Sequence, residues 1–444
     1  MDFTPHSSEE IEQMLENIGL KSLDDLFQDI PEAIKVEKLN LDEPLREADI
    51  FRKMEQVAAK NKHYGQSLLG GGIYSHYRPA VVDEILHRNE FYTSYTPYQA
   101  EVSQGFLQVI FEYQTAISLL TGMEVSNASM YDGGSAAGEA AVLGCLQARK
   151  SKALALDTIH PEYLEVIKTY CYGRDIELDV ISTEDLESKD LSEYGVVLFQ
   201  SPTFFGDILN LEEFIKEKKA QFKKLYFVQI IAEMTSLGIL KSPAEMGVDI
   251  LVGEGQSLGL PQNFGGPGVG IFATTKKLLR RIPGRLVGYT PTIDGKSGGF
   301  ILTLQTREQH IRRERAISNI CTNQAIVMLG ALVFLLCLGE KGLEELAVQN
   351  VQKANYLKKK IQTDCPTYEV LNKGTIYNEF VVQCPTEEAK NAVIEQLDAA
   401  NIAPPLSLEK YFPERKNQLL FCVTEMVSKE ALELVTQIFT EACQ

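Results

Sequence analysis

Between residues 125 and 275 short apolar runs alternate with helical stretches, and this rhythm limits the fold more than any other feature of the chain. Strands are expected at Ala153–Leu156, Ile176–Ile181, Val196–Gln200, Leu225–Ile231, Ile250–Val252 and Val269–Ala273. Helices are expected between several of them, for example at Pro161–Tyr170 and Leu211–Ala220. Such alternation implies an α/β layer built on a largely parallel sheet. Gly247, Gly253, Gly255, Gly265 and Gly266 mark tight connections at the later strands.

The flanks read differently. Residues 1–60 form a polar helical arm, in which Ser7 with Glu10 has capping-box spacing and Ser22 with Asp25 resembles it. A glycine-rich and then aromatic stretch, LLGGGIYSHYRPAVVDEI, opens the large part of the chain, expected at 61–325. A loop dense in Tyr, Thr and Ser, Phe91–Gln99, precedes a run from Glu101 to Leu120 with apolar residues at helical spacing. The apolar run Ala325–Leu338 is shorter than the ~20 residues that span a bilayer, so a buried helix is expected and no membrane partner. Residues 326–444 are expected to form a smaller α+β domain. Its strands are expected near Tyr368–Leu371, Phe380–Gln383 and Leu419–Val423, and its helices at 386–400 and from Ser428.

Composition excludes several functions. A formal net charge of −18, from 61 acidic against 43 basic residues, repels phosphate backbones and argues against a nucleic-acid partner. The eight cysteines are scattered without a CxxC, and the six histidines form no HxxH or HxxxH pair, so neither a metal site nor a disulfide framework is expected. The N-terminus, MDFTPHSSEE, lacks a basic segment followed by an apolar one. The expectation is a cytoplasmic protein with reduced thiols.

Two constellations point to chemistry. In NASMYDGGSAAGEAAVLG, residues 127–144, Gly133, Gly134 and Ser135 open a small-residue helix. A helix N-terminus of this kind attracts an anion, typically a phosphate; the plainer reading is an ordinary capped helix. In VDILVGEGQSLGLPQNFGGPGVGIFA, residues 248–273, a strand ends in a short polar loop and a GGPG turn before the next strand. Enzymes of the aspartate-aminotransferase fold that use pyridoxal phosphate (PLP) carry their Schiff-base lysine on such a strand–loop, because the amine needs a short, rigid tether.

Four longer motifs carry a specific resemblance: YTPYQAE at 95–101, NASMYDG at 127–133, GEGQSLGLP at 253–261 and TREQHIRRERAISNICTNQA at 306–325. With them the chain resembles the P-protein family of the glycine cleavage system, from the N-terminal arm to its end. The resemblance implies a PLP-dependent transferase fold of the aspartate-aminotransferase type (fold type I). It also implies the first subunit of a form split into two chain types. In the lysine-bearing subunit the loop reads roughly His-Lys-Thr; counting back from Pro261, that lysine falls on Gln256, and no lysine occurs from Ser242 to Thr275. Glutamine cannot form an imine, so PLP is expected to be bound covalently by the second subunit and not by this chain. Glu233 lies near the position of the acid that holds the pyridine nitrogen protonated, although an exposed or capping carboxylate is the plainer reading.

Active sites of this fold take residues from both chains of a dimer. The expected contribution to the second subunit's site is Tyr95, Tyr98, Gln99 and Glu101, though these aromatics could equally just pack an interface. Arg307, Arg312, Arg313 and Arg315 read best as a surface ion-pair network with Glu308 and Glu314; docking of an acidic partner is the alternative. Lys296, on a flexible glycine loop, is a poor tether. The family decarboxylates glycine and passes the aminomethyl group to the lipoyl arm of H-protein. The implied partners are therefore glycine, lipoylated H-protein and the second subunit, in a heterotetramer of two chain types. A regulatory or structural pseudoenzyme of the same fold, and a self-sufficient PLP enzyme with its lysine elsewhere, are the competing readings.

Overall fold

The structure, a computed structural model, describes residues 5–36 and 38–442. Contacts divide the chain into two units, Met1–His63 and Tyr64–Gln444. In the first, helix α1 (Ser8–Asn17) starts from the expected capping box, with the Ser7 hydroxyl accepting from Glu10 N at 3.3 Å and the Glu10 carboxylate accepting from Ser7 N at 2.7 Å. Ser22 N likewise donates to the Asp25 carboxylate, and a second helix, α2, spans Glu47–Ala58.

The second unit is built on a seven-stranded sheet: β1 (Val125–Ser126), β2 (Lys152–Leu156), β3 (Glu177–Ile181), β4 (Val196–Gln200), β5 (Tyr226–Ile231), β6 (Ile250–Glu254) and β7 (Gly270–Thr274). The spatial order is β1-β7-β6-β5-β4-β2-β3, with β7 antiparallel to both of its neighbours and the other pairs parallel. Each expected strand appears within about two residues of its place, because β4 to β7 are buried almost throughout and their runs are apolar for that reason. Helices cover both faces, among them α5 (Pro161–Tyr172) and α6 (Glu212–Gln221). Ala136, Ala140 and Ala141 of α4 (Gly133–Ala148) pack in one core, and Phe106, Ile110 and Ile117 of α3 (Gln104–Thr121) in the other. Gly144 lies so close to β4 that an added Cβ would fall 2.7 Å from Val196, which is why this helix is made of small residues.

The long helix α7 (Ala325–Asp364) departs from expectation. The apolar run 325–338 does not end a helix; Gly339, at φ +62°, kinks it and a second, amphipathic length continues. By length and composition the helix could cross a membrane, yet Met328, Ala331, Leu332 and Phe334 are buried in the core shared with α3. Its second half lies under a four-stranded antiparallel sheet of Glu369–Val370, Glu379–Gln383, Leu406–Ser407 and Gln418–Cys422, flanked by α8 (Glu387–Ala399) and α9 (Lys429–Ala442). The glycine-containing stretch after Arg281 is a hairpin, Leu286–Pro291 with Gly298–Thr303, rather than a loop.

Candidate functional site

Ligands of open α/β sheets sit at the carboxyl ends of the strands, and there the chain has packed its own side chains. Leaving β6, Glu254 and Gln256 are both buried. The Gln256 amide is fully engaged: its Oε1 accepts from Tyr74 N at 2.8 Å, and its Nε2 donates to Tyr74 O and Leu260 O, both at 2.9 Å. It pairs with the Tyr74 backbone much as a neighbouring strand would. A protonated amine has no acceptor to offer Tyr74 N–H, whereas the amide offers both halves of the pair.

Glu254 fills the place of an anion. Its Oε2 accepts from Gly133 N, at the start of α4, at 3.0 Å, and its Oε1 accepts from Gln256 N at 3.0 Å and Val269 N at 2.8 Å. Burial pushes its carboxyl above the ordinary range, against the pull of those three N–H groups. Asp132 caps the same helix by accepting from Ser135 N at 2.7 Å, and an added Cβ on Gly133 would lie 2.6 Å from the Tyr163 hydroxyl. Gly133, Gly134 and Ser135 thus form a helix N-terminus of the kind that attracts an anion, but carboxylates of the chain itself already take it up.

Glu233 is neither exposed nor simply a cap. It is buried at 2% exposure; Oε1 accepts from Thr235 N and Oγ1, and Oε2 lies 2.8 Å from His76 Nε2. The other ring nitrogen of His76 lies 2.8 Å from Glu425. Burial alone would lower the pKa of His76, but Glu233 and Glu425 push it up to about 10, and the imidazolium in turn holds Glu233 below the usual carboxylate range despite its burial. Beside them, Glu379 accepts from Gly71 N at 2.7 Å and from the Tyr74 hydroxyl at 2.9 Å, and burial pushes its carboxyl up to about 8. His160 closes the far side: its Nε2 lies 2.8 Å from Gly71 O, and its ring stacks on Tyr163.

The segment Gly70–Arg78 is therefore laid through the strand ends and fastened at Gly71, Tyr74 and His76. PLP does not fit this set of residues. No amine stands at position 256, the helix N–H groups hold carboxylates, and the acid just after β5, Glu233, is committed to His76. His76, Tyr74, His160, Glu254 and Glu379 escape a reading of the sequence alone. The signals available were the glycine triplet followed by SHYR, and the acid two residues before Gln256.

The expected contributions to a second subunit lie elsewhere, in the loop before α3. Tyr95 is 84% exposed, and Tyr98, Gln99 and Glu101 are exposed too. Only Tyr98 among the four has a side-chain partner in the described residues, its hydroxyl 3.4 Å from Arg285 Nη2. The basic run is not an ion-pair network. Arg307 donates to the carbonyls of Leu304, Ile282 and Gly284, Arg312 Nε donates to Thr306 O, and the Arg315–Glu314 pair is long, at 3.7 Å, and solvent-exposed. Arg280, Arg281, Arg307, Arg312 and Arg315 line a cavity of about 240 Å³. Among the described residues no group of three His, Cys, Asp or Glu side chains could hold a metal ion.

Comparison with known proteins decides the family. The family model described as "Glycine cleavage system P-protein" matches residues 1–439. The chain belongs to the glycine cleavage system P-protein family. Among its relatives, the "Probable glycine dehydrogenase (decarboxylating) subunit 1" of Carboxydothermus hydrogenoformans is 46% identical over 448 residues, covering 99% of each chain. That of Bacillus cereus is 43% identical, covering 97% of each. The crystal structure of a glycine decarboxylase (P-protein) of the glycine cleavage system, in inhibitor-bound form, superposes with a TM-score of 0.88 at 38% identity over the whole of both chains. A glutamate decarboxylase of Lactobacillus brevis shares the fold alone, with a TM-score of 0.67 at 13% identity over 94% of this chain and 97% of that one. The P-protein fold of this chain is thus that of the fold type I PLP enzymes, with its own strand-end site closed.

Proposed function

We propose that this chain is the lysine-less subunit of a two-subunit glycine decarboxylase, and that the PLP of the assembly is held covalently by the second subunit. The observation that carries this is the state of position 256. A buried amide is bonded on both sides to the Tyr74 backbone, and a carboxylate sits at the helix N-terminus beside it. PLP, when bound in the second subunit, supplies the electron sink into which the loss of carbon dioxide from glycine delivers its electron pair. This chain would contribute the loop bearing Tyr95, Tyr98, Gln99 and Glu101, exclude water from the shared pocket, and offer surface to lipoylated H-protein. The proposal keeps three segments, an arm at 1–60, a large α/β part at 61–325 and a small part at 326–444, in a cytoplasmic heterotetramer without nucleic-acid or membrane partners.

The test is co-expression with the lysine-bearing subunit, followed by glycine–bicarbonate exchange. The pair should exchange, and this chain alone should stay colourless with PLP and inert. Covalent binding of PLP by this chain alone would overturn the proposal. So would exchange by the second subunit that this chain leaves unchanged, and that result would support a regulatory or structural pseudoenzyme instead.

A further inference from the structure

Arg285 is buried, at 3% exposure, and no carboxylate of the described residues pairs with it. Its Nη1 reaches Thr322 Oγ1 at 3.2 Å and Asn323 Oδ1 at 3.4 Å, and its Nη2 reaches the Tyr98 hydroxyl at 3.4 Å. All three are neutral oxygens at long range, and Nε has no hydrogen-bond partner. The Tyr98 ring lies over the guanidinium, 5.5 Å from Cζ to the ring centroid. Arg307, some twenty residues on, illustrates how this fold satisfies a structural arginine, with all three guanidinium nitrogens on backbone carbonyls. Arg285 has been given no such set. A guanidinium is always charged, and a buried charge without a counter-charge is unfavourable enough that proteins rarely keep one for packing alone.

The surroundings give the direction of the missing partner. Tyr98 belongs to the exposed loop before α3, and Thr322 and Asn323 belong to the stretch 316–324, which has no regular secondary structure before α7. Two irregular segments and one long, exposed aromatic thus surround a forked donor. That geometry suits an anion with two oxygens in a plane.

We propose that Arg285, framed by Tyr98, Thr322 and Asn323, is an oxyanion receptor completed by the second subunit. This rests on the two-subunit reading above. Two sources on that subunit offer the chemistry: an Asp or Glu side chain, or the phosphate of the PLP it carries.

The experiment uses Arg285→Gln and Arg285→Lys in the full chain. Melting is measured on the chain alone. Association is measured with the second subunit both loaded with PLP and stripped of it. For Arg285→Gln, the expected result is melting at or above the wild-type temperature, because an unpaired buried charge is gone, together with an association constant tenfold or more weaker. Arg285→Lys should recover part of the association, lacking the fork but keeping the charge. Weakening against both forms of the partner identifies an acidic side chain; weakening against the loaded form alone identifies the phosphate. Unchanged association with both forms would overturn the proposal. So would a fall in melting temperature that lysine restores without restoring association, since that is the mark of a structural residue. If the wild-type chain fails to associate at all, the two-subunit reading falls and this inference falls with it; if it associates and the glutamine variant does so equally, only the inference falls.

Discussion

Gln256→Lys restores the residue type that a PLP site requires, and the structure says it will not restore the site. Lysine is all donor. Protonated, its Nζ can still reach Tyr74 O and Leu260 O, but Tyr74 N–H, in a residue that is 3% exposed, loses the acceptor it holds at 2.8 Å. An abandoned buried N–H costs about 1–3 kcal/mol. The ammonium is also taken from water into a position that is 2% exposed, and deprotonating it at neutral pH, which would free a lone pair for Tyr74 N–H, instead costs about 4–5 kcal/mol for a group that titrates near 10.4 in water. A destabilisation of roughly 4–5 kcal/mol follows by the cheaper route. With about 2.1 cal/mol/K of unfolding entropy per residue, the unit Tyr64–Gln444 melts with an entropy of roughly 0.8 kcal/mol/K, so the loss corresponds to a fall of about 5–6 °C. Calorimetry of the chain alone reads this directly. Incubation with PLP, borohydride reduction and peptide mapping then ask whether position 256 carries an adduct. An adduct at Lys in place of Gln256, at an unchanged melting temperature, would refute the claim that the chain's own side chains fill the site.

Three further outcomes are expected. Glu254→Gln turns an NH₂ toward at least one of the three N–H groups that the carboxylate now satisfies, so urea unfolding should find the variant about 1–3 kcal/mol less stable. Tyr95→Ala removes an exposed ring with no side-chain hydrogen bond of its own, so the isolated chain should keep its stability within about 0.5 kcal/mol, while glycine–bicarbonate exchange by the two-subunit enzyme falls tenfold or more. Glu379, held up to about 8 by burial, is protonated in the fold while its unfolded counterpart ionises near 4.5, so its contribution declines as pH rises from about 4.5 to 8. His76, held up to about 10 chiefly by Glu233 and Glu425 against its burial, contributes fully below pH 6.5 and declines from there to about 10. Stability should therefore fall on the alkaline side of neutrality, and Glu379→Gln should flatten the slope between pH 5 and 8; an unchanged slope in thermal melts across that range would contradict the assignment.

What the sequence reveals of this fold depends on how far apart in the chain the partners lie. The core strands were legible because each is apolar at nearly every position, a local property of five or six residues. The hairpin Leu286–Thr303 was not, because its strands are glycine-bearing and half exposed, so neither periodicity nor hydrophobicity marks them. The reach of α7 was hidden by Gly339, which breaks the pattern at a kink without ending the element. Position 256 could be read as lacking an amine. That the amide is clamped could not, because its partner Tyr74 lies 182 residues away, the Glu379 that holds the Tyr74 hydroxyl lies 305 residues from it, and the Glu233 and Glu425 that hold His76 lie 157 and 349 residues from it. The glycine triplet hinted at close approach of the backbone without saying to what.

The two polar regions of this chain are in opposite states, and the contrast carries the functional argument. At the strand ends the principal donors and acceptors are answered from within. Glu254 meets the helix N-terminus, Gln256 the Tyr74 backbone, His76 the Glu233 carboxylate and Glu379 the Tyr74 hydroxyl. Groups satisfied in this way do not depend on a ligand to pair them. Around Arg285 the balance is reversed: a buried cation has only three long contacts to neutral oxygens, and the tyrosine loop above it stands in solvent. Internal satisfaction stabilises a scaffold, whereas unsatisfied groups near a surface gain free energy only when something else arrives. A chain with its strand-end groups paired internally and its polar deficit at the Tyr98 loop is what the two-subunit proposal requires, and the association of Arg285→Gln with the second subunit, read beside its melting temperature, is the measurement on which that argument turns.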